Sequence, residues 1–142
     1  MAIQELAQKL NDDLANEYTH MLFYLHHSAM VSGPHRPEYR RFLSEQAASE
    51  MEHVREFSDL ILSMNVIPTV SPKPFETSTD PVRIIQLAAD LEREVLKNYL
   101  ERMKEADELG GIHGTAVRLF LEEQFEHSHE DLTDMLRMLR TK

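Results

Sequence analysis

Apolar residues recur along this chain in steps of three and four, the spacing that gathers side chains on one face of an α-helix. Four such stripes can be followed. Ile3, Leu6, Leu10, Leu14, Met21 and Tyr24 mark the first, over about residues 3–30. Tyr39, Phe42, Leu43, Gln46, Glu50, His53, Phe57, Leu60, Ile61 and Met64 mark the second, over about 37–64. The third runs from about 80 to 109 through Ile85, Ala88, Ala89, Glu92, Val95, Leu96, Tyr99, Met103 and Ala106. Val117, Leu121, Phe125, Leu132, Leu136 and Leu139 form the fourth, over about 115–140, with Phe120 and Gln124 on its flank.

The breaks between stripes carry turn chemistry. Ser32-Gly33-Pro34 ends the first helix, and Pro37 suits the opening of the second. So short a connection predicts antiparallel neighbours. Asp80 is a natural N-cap with Pro81 behind it, and Gly110-Gly111 stops the third helix before a turn through Gly114. Residues 65–80 differ in kind: Pro68, Pro72 and Pro74 among β-branched residues exclude a helix. At ~3.3 Å per extended residue this segment reaches about 50 Å. A helix of the predicted length is about 42 Å long at ~1.5 Å per residue. The segment can therefore cross the whole bundle and start the third helix parallel to the second. The expected fold is all-α: one domain over 1–142, a four-helix bundle with one long crossover at 65–80 and no fifth helix.

Polar residues interrupt these stripes at matching depth. Glu17 fills the step from Leu14 to Met21, Glu50 and His53 lie mid-way along the second helix, and Glu92 lies mid-way along the third. Gln124 and His127 fall at the middle of the fourth. A lone Glu on such a stripe is commonly a boundary residue or the partner of a basic side chain. No Lys or Arg lies on these stripes, and the coincidence runs over four helices. Three carboxylates converging in an apolar core repel one another unless cations join them. Oxygen donors with imidazole suit iron or manganese better than copper, and zinc stays open.

Bulk properties narrow the setting. The 142 residues contain no cysteine, which excludes disulfides, zinc knuckles and thiol catalysis. A formal net charge of −10 disfavours nucleic acid and favours cations. No apolar run approaches the ~18 residues of a membrane span, and the N-terminus lacks a signal-peptide layout. A soluble, cytoplasmic protein without membrane or nucleic-acid partners is expected.

Taken together, Asn16-Glu17 with Tyr24 seven residues on, Ser49-Glu50-Met51-Glu52-His53, Leu91-Glu92 and the proline-containing crossover resemble the ferritin superfamily, more narrowly ferritin and bacterioferritin. Members of that family carry a di-iron constellation of helix-borne glutamates and Glu-x-x-His pairs. The resemblance implies two Fe ions per subunit, with Glu17, Glu50, His53 and Glu92 as ligands and Tyr24 beside them as a hydrogen-bond or electron donor. The fourth helix departs from the pattern. Its segment Glu122-Glu123-Gln124-Phe125-Glu126-His127-Ser128-His129 offers Gln124 with His127 when the apolar pairs are aligned, and Glu126 with His129 as the literal match. Glu94 is the alternative to Glu92 on the third helix. By the same resemblance Met51 would bind haem across a two-fold dimer interface.

The implied activity is a ferroxidase that takes Fe(II) to Fe(III) with O2 or H2O2, serving iron storage or detoxification in a homo-oligomer built from two-fold dimers, up to a cage. Cages of 24 subunits usually carry a fifth helix, which the sequence lacks. Two rivals stay open: a small di-iron oxidase or peroxide scavenger that stores no mineral, and a non-enzymatic metal-binding bundle.

Overall fold

A computed structural model describes residues 1–140; the last two positions of the 1–142 span lie outside the described residues. Four helices follow in order, α1 (Ile3–Met30), α2 (Arg36–Ser63), α3 (Pro81–Leu109) and α4 (Gly111–Met138), with no strand among the described residues. α1 packs along α2, α3 packs along α4, and α1 also meets α3. The architecture is thus the expected all-α bundle with its long connection between the second and third helices. At the start of α3, Asp80 Oδ2 accepts from the Arg83 backbone N–H at 3.0 Å and Pro81 follows the cap.

The crossover is laced to α1 by polar side chains. Asn11 donates to Ile67 O at 3.0 Å and accepts from Thr69 N–H at 2.9 Å. Thr19 Oγ1 accepts from Lys73 N–H at 2.7 Å, and His27 Nε2 accepts from Ser78 N–H at 3.2 Å. Ser32 N–H donates to Thr79 O at 2.9 Å. Asn11, Thr19 and His27 are eight residues apart, about 12 Å of helix at ~1.5 Å per residue. Thr69, Lys73 and Ser78 are spaced at about 13–16 Å at ~3.3 Å per extended residue. An extended chain therefore keeps step with the helix, travels in the direction of α1, and delivers α3 antiparallel to it.

Two expectations for α4 are corrected. The helix begins at Gly111 instead of near Thr115, because Gly110 and Gly111, at φ +64° and +66°, complete the reversal from α3 between them. Gly114 lies inside the helix and serves a close approach: a Cβ there would meet the Ala106 carbonyl oxygen at 2.4 Å. The inner face also differs. The buried positions are Gly114, Val117, Leu121, Gln124, Ser128 and Met135, the alternating three-and-four step of a straight bundle seam. Phe125, Leu132 and Leu139 are only partly buried and Leu136 is exposed, so the apolar stripe lies to one side of a seam that carries polar residues.

That polar seam belongs to a layer crossing the whole bundle. One apolar cluster gathers Leu6, Leu10, Leu14, Phe57, Ile61, Val117 and Leu121 with their neighbours. A second gathers Phe23, Leu43, Ile84, Ile85, Ala88 and Met135. Between the two lie Glu17, His20, Glu50, His53, Glu92, Gln124 and Ser128, all buried. A further buried charge, Asp13, is met by Arg102 from α3, whose Nε and Nη2 donate to the two carboxylate oxygens at 2.8 and 3.3 Å. No helix among the described residues is long and apolar enough to cross a membrane.

Candidate metal centre

Each member of the polar layer is placed by an apolar turn above and below it on its own helix. Glu17 follows Leu14 and precedes Tyr24, Glu50 follows Ala47 and precedes Phe57, and Glu92 sits between Ala89 and Tyr99; all these flanking residues are buried. The carboxyls are 1%, 2% and 1% exposed respectively, so they must find their partners inside the bundle.

Two groups of potential ligand atoms result, each with its atoms within 4.8 Å of one another. The first is Glu17, Glu50 and His53; the second is His20, Glu50 and Glu92. Glu50 belongs to both. In the first, His53 Nδ1 lies 3.2 Å from Glu50 Oε2 and 3.7 Å from Glu17 Oε2. In the second, His20 Nδ1 lies 3.8 Å from Glu92 Oε1. That nitrogen is buried and has no hydrogen-bond partner among the described residues. Leaving a polar atom in this state costs roughly 1–3 kcal/mol unless a ligand satisfies it.

Further hydrogen bonds hold the carboxylates. Tyr24 donates its hydroxyl to Glu92 Oε1 at 2.9 Å. Ser128 donates to Glu92 Oε2, and Tyr99 donates to Glu17 Oε1. Without cations the cluster is balanced by protons. Burial and the neighbouring Glu17 charge push the Glu50 carboxyl well above its usual range. Burial likewise raises Glu92 to about 8, against the bonds from Ser128 and Tyr24. Glu17 is held down at about 2: burial would raise it, but hydrogen bonds from Glu50 and His53 outweigh burial. His53 is lifted to about 11 by its bonds to Glu17 and Glu50, against the cost of burying its charge. Burial lowers His20, which is therefore neutral and able to offer a lone pair.

These features fit a pair of divalent cations. Protons on Glu50, Glu92 and His53 stand where cationic charge would stand, and the lone pair of His20 is unengaged. Oxygen donors mixed with imidazole are the donor set of a redox-active di-metal carboxylate site.

The structure brings Glu17, Glu50, His53 and Glu92 together, with Tyr24 against Glu92. It does not bring all of the fourth-helix candidates there. Gln124 is 1% exposed in the polar layer; its amide donates to Glu56 at 2.9 Å, and its Oε1 is buried without a hydrogen-bond partner among the described residues. His127 is exposed, its ring centroid 5.8 Å from that of His53. Glu126, His129 and Glu94 are exposed, and Met51 is 51% exposed on the outer side of α2.

His20 and Ser128 escape the reading of the stripes, and Tyr99 stands in the third stripe only as an apolar packing residue. The signal for His20 was present, since Glu17-x-x-His20 repeats the spacing of Glu50-x-x-His53. Tyr99 also carried one, standing seven residues after Glu92 as Tyr24 stands after Glu17. Ser128 carried none.

Known proteins align with this geometry. The model of the family Ferritin, described as a ferritin-like domain, matches residues 7–142. A solved structure described as ferritin like, diiron-carboxylate proteins from Bacillus anthracis str. Ames superposes with a TM-score of 0.91. The two are 27% identical, over 99% of this chain and 100% of that one. No curated protein matches the chain.

Proposed function

As the chain belongs to the Ferritin family of ferritin-like domains, we propose that it is a ferroxidase whose substrate is a pair of Fe²⁺ ions held at the two triads. The observation that carries this reading is Glu50, common to both triads, since one carboxylate can bridge two ions. In this reading Glu17, Glu50 and His53 hold one Fe²⁺, and His20, Glu50 and Glu92 hold the other. Two Fe²⁺ give up one electron each, so that hydrogen peroxide with two protons yields two waters, or dioxygen with two protons yields hydrogen peroxide.

The chain's own residues set the conditions for that exchange. Glu50, Glu92 and His53 release their protons as the ions enter. Tyr24 and Ser128 fix both oxygens of Glu92, and Tyr99 fixes Glu17, so the donors are oriented before substrate arrives. Apolar clusters above and below the layer keep bulk water out. Tyr24 and Tyr99, buried and with hydroxyls held far above their usual pKa by burial, stay protonated as donors throughout.

Storage of the Fe³⁺ product requires a shell of many subunits. We assign the protein to iron storage or detoxification as a homo-oligomer, and sedimentation separates a shell from a dimer, which would serve instead as a small oxidase or peroxide scavenger. Haem on Met51 across a two-fold contact is a further expectation of the resemblance. The side chain is accessible on α2, and a Soret band from protein expressed with ample haem tests it. The activity itself is tested by aerobic addition of Fe²⁺, followed by the near-ultraviolet absorbance of Fe³⁺. Oxidation well above the buffer rate, abolished by Glu50→Ala, is expected. A rate equal to buffer, or one that Glu50→Ala leaves intact, would refute the reading.

A further inference from the structure

A small cavity of about 90 Å³ opens between α1, α3 and the crossover, room for about three waters at ~30 Å³ each. Asn16, Thr19 and His20 line it from α1, Glu94 from α3, and Lys73 and Pro74 from the crossover. Glu94 and Lys73 are exposed, whereas His20 is 2% exposed. The cavity thus leads from solvent to a member of the inner cluster, the one whose Nδ1 lacks a partner.

The opening is built in rather than left by poor packing. Lys73 N–H is anchored on Thr19 Oγ1 at 2.7 Å, and the Thr19 hydroxyl is itself fixed by donating to Ala15 O at 2.8 Å. The crossover therefore spans the gap at a fixed height. A leucine at position 16 would fill the space with apolar contact; the chain places an amide there instead.

We propose that this cavity is the vestibule through which divalent cations reach the buried cluster, with Glu94 as the capturing carboxylate at its mouth. The proposal rests on the metal reading of the two triads. Asn16 offers a carbonyl oxygen on the way in, replacing part of the ion's water before His20 is reached. A net charge of −10 draws cations to the surface generally, and a single carboxylate at a narrow mouth concentrates them locally. The Lys73 ammonium shares that rim and opposes the effect.

Stopped-flow binding of Co²⁺ to the full chain, read by its visible absorption, tests this without reliance on iron oxidation. Glu94→Gln should slow the second-order binding rate at least about threefold at low ionic strength and flatten its salt dependence. Lys73→Gln should raise that rate. Asn16→Leu should slow binding and release together and leave the equilibrium affinity in place, which loss of a ligand would not do. Glu108→Gln, the same charge change at the far end of α3, should have no effect. Should Asn16→Leu fold poorly, the surface variants at Glu94 and Lys73 decide alone. Parental rates in Glu94→Gln and Lys73→Gln, or slowing by His127→Ala in their place, would overturn the vestibule. A parent chain that binds no Co²⁺ at all would overturn the metal reading beneath it as well.

Discussion

Tyr24 on α1 donates a 2.9 Å hydrogen bond to Glu92 on α3, joining the two hairpins of the bundle at the level of the acidic layer. Tyr99 on α3 returns the relationship by donating to Glu17 on α1. Each tyrosine lies seven residues after the glutamate of its own helix and serves the glutamate of the other.

This exchange predicts what happens when either hydroxyl is removed. A buried carboxylate deprived of a donor loses roughly 1–3 kcal/mol of stabilisation. Partners that orient metal ligands are typically worth about 10–100-fold in affinity. Tyr24→Phe and Tyr99→Phe should each weaken Co²⁺ binding about tenfold and slow Fe²⁺ oxidation in step. Equilibrium titration of both variants checks this, and unchanged affinity in the pair would speak against the assigned roles.

Metal affinity should depend on pH with a definite sign. The cation-free cluster keeps protons on Glu50, on Glu92 up to about pH 8, and on His53 up to about pH 11. Cations displace those protons, so binding is opposed at low pH and strengthens as pH rises through neutrality towards 8. Calorimetric titration with Zn²⁺ in buffers of different ionisation enthalpy should show net proton release at pH 7. Binding without proton release would contradict the protonated state described for the cluster.

How much of this was legible in the sequence follows from how each helix is covered. α2 and α3 bury a single stripe, and there the pattern located Glu50, His53 and Glu92 directly. α1 is buried over a wider arc because the crossover lies along it, anchored at Asn11, Thr19 and His27. His20 falls in that second arc, outside the stripe of Leu14, Glu17 and Met21, and a one-stripe reading passes over it. On α4 the residues with the strongest apolar signal, Phe125, Leu132 and Leu136, flank the seam instead of filling it. The seam positions near the site are Gln124, which the alignment of apolar pairs reached, and Ser128, which no hydrophobic pattern can find.

Asp13 offers a test of the scaffold beside the site. Burial raises its carboxyl to about 6, with Arg102 working in the opposite direction through hydrogen bonds and charge. Removing Arg102 strands a buried acid, a change that typically costs about 3–5 kcal/mol. Arg102→Ala should therefore lower the denaturant midpoint strongly. Asp13→Leu combined with Arg102→Met should recover most of the loss, because a buried ion pair contributes little beyond an apolar pair of similar size. Equal destabilisation in the single and double variants would be the opposing outcome.

Gly114→Ala is predicted to be disruptive despite lying in a helix, where alanine is normally favourable. Its Cβ would stand 2.4 Å from the Ala106 carbonyl oxygen, so α4 would have to move away from α3. Overpacking of this kind typically costs about 1–3 kcal/mol. A thermal melt reports it, and a variant as stable as the parent would show that the helices can part without cost.

The central claim is that Glu50 joins two iron positions, one completed by Glu17 and His53 and the other by His20 and Glu92. Diffraction at the iron edge from crystals loaded anaerobically with Fe²⁺ measures it most directly. Two anomalous peaks per chain are predicted, both within bonding distance of Glu50, with His53 on one and His20 on the other. A single peak, or iron held by Gln124 and His127 or by Glu126 and His129 with His20 left unbound, would contradict it.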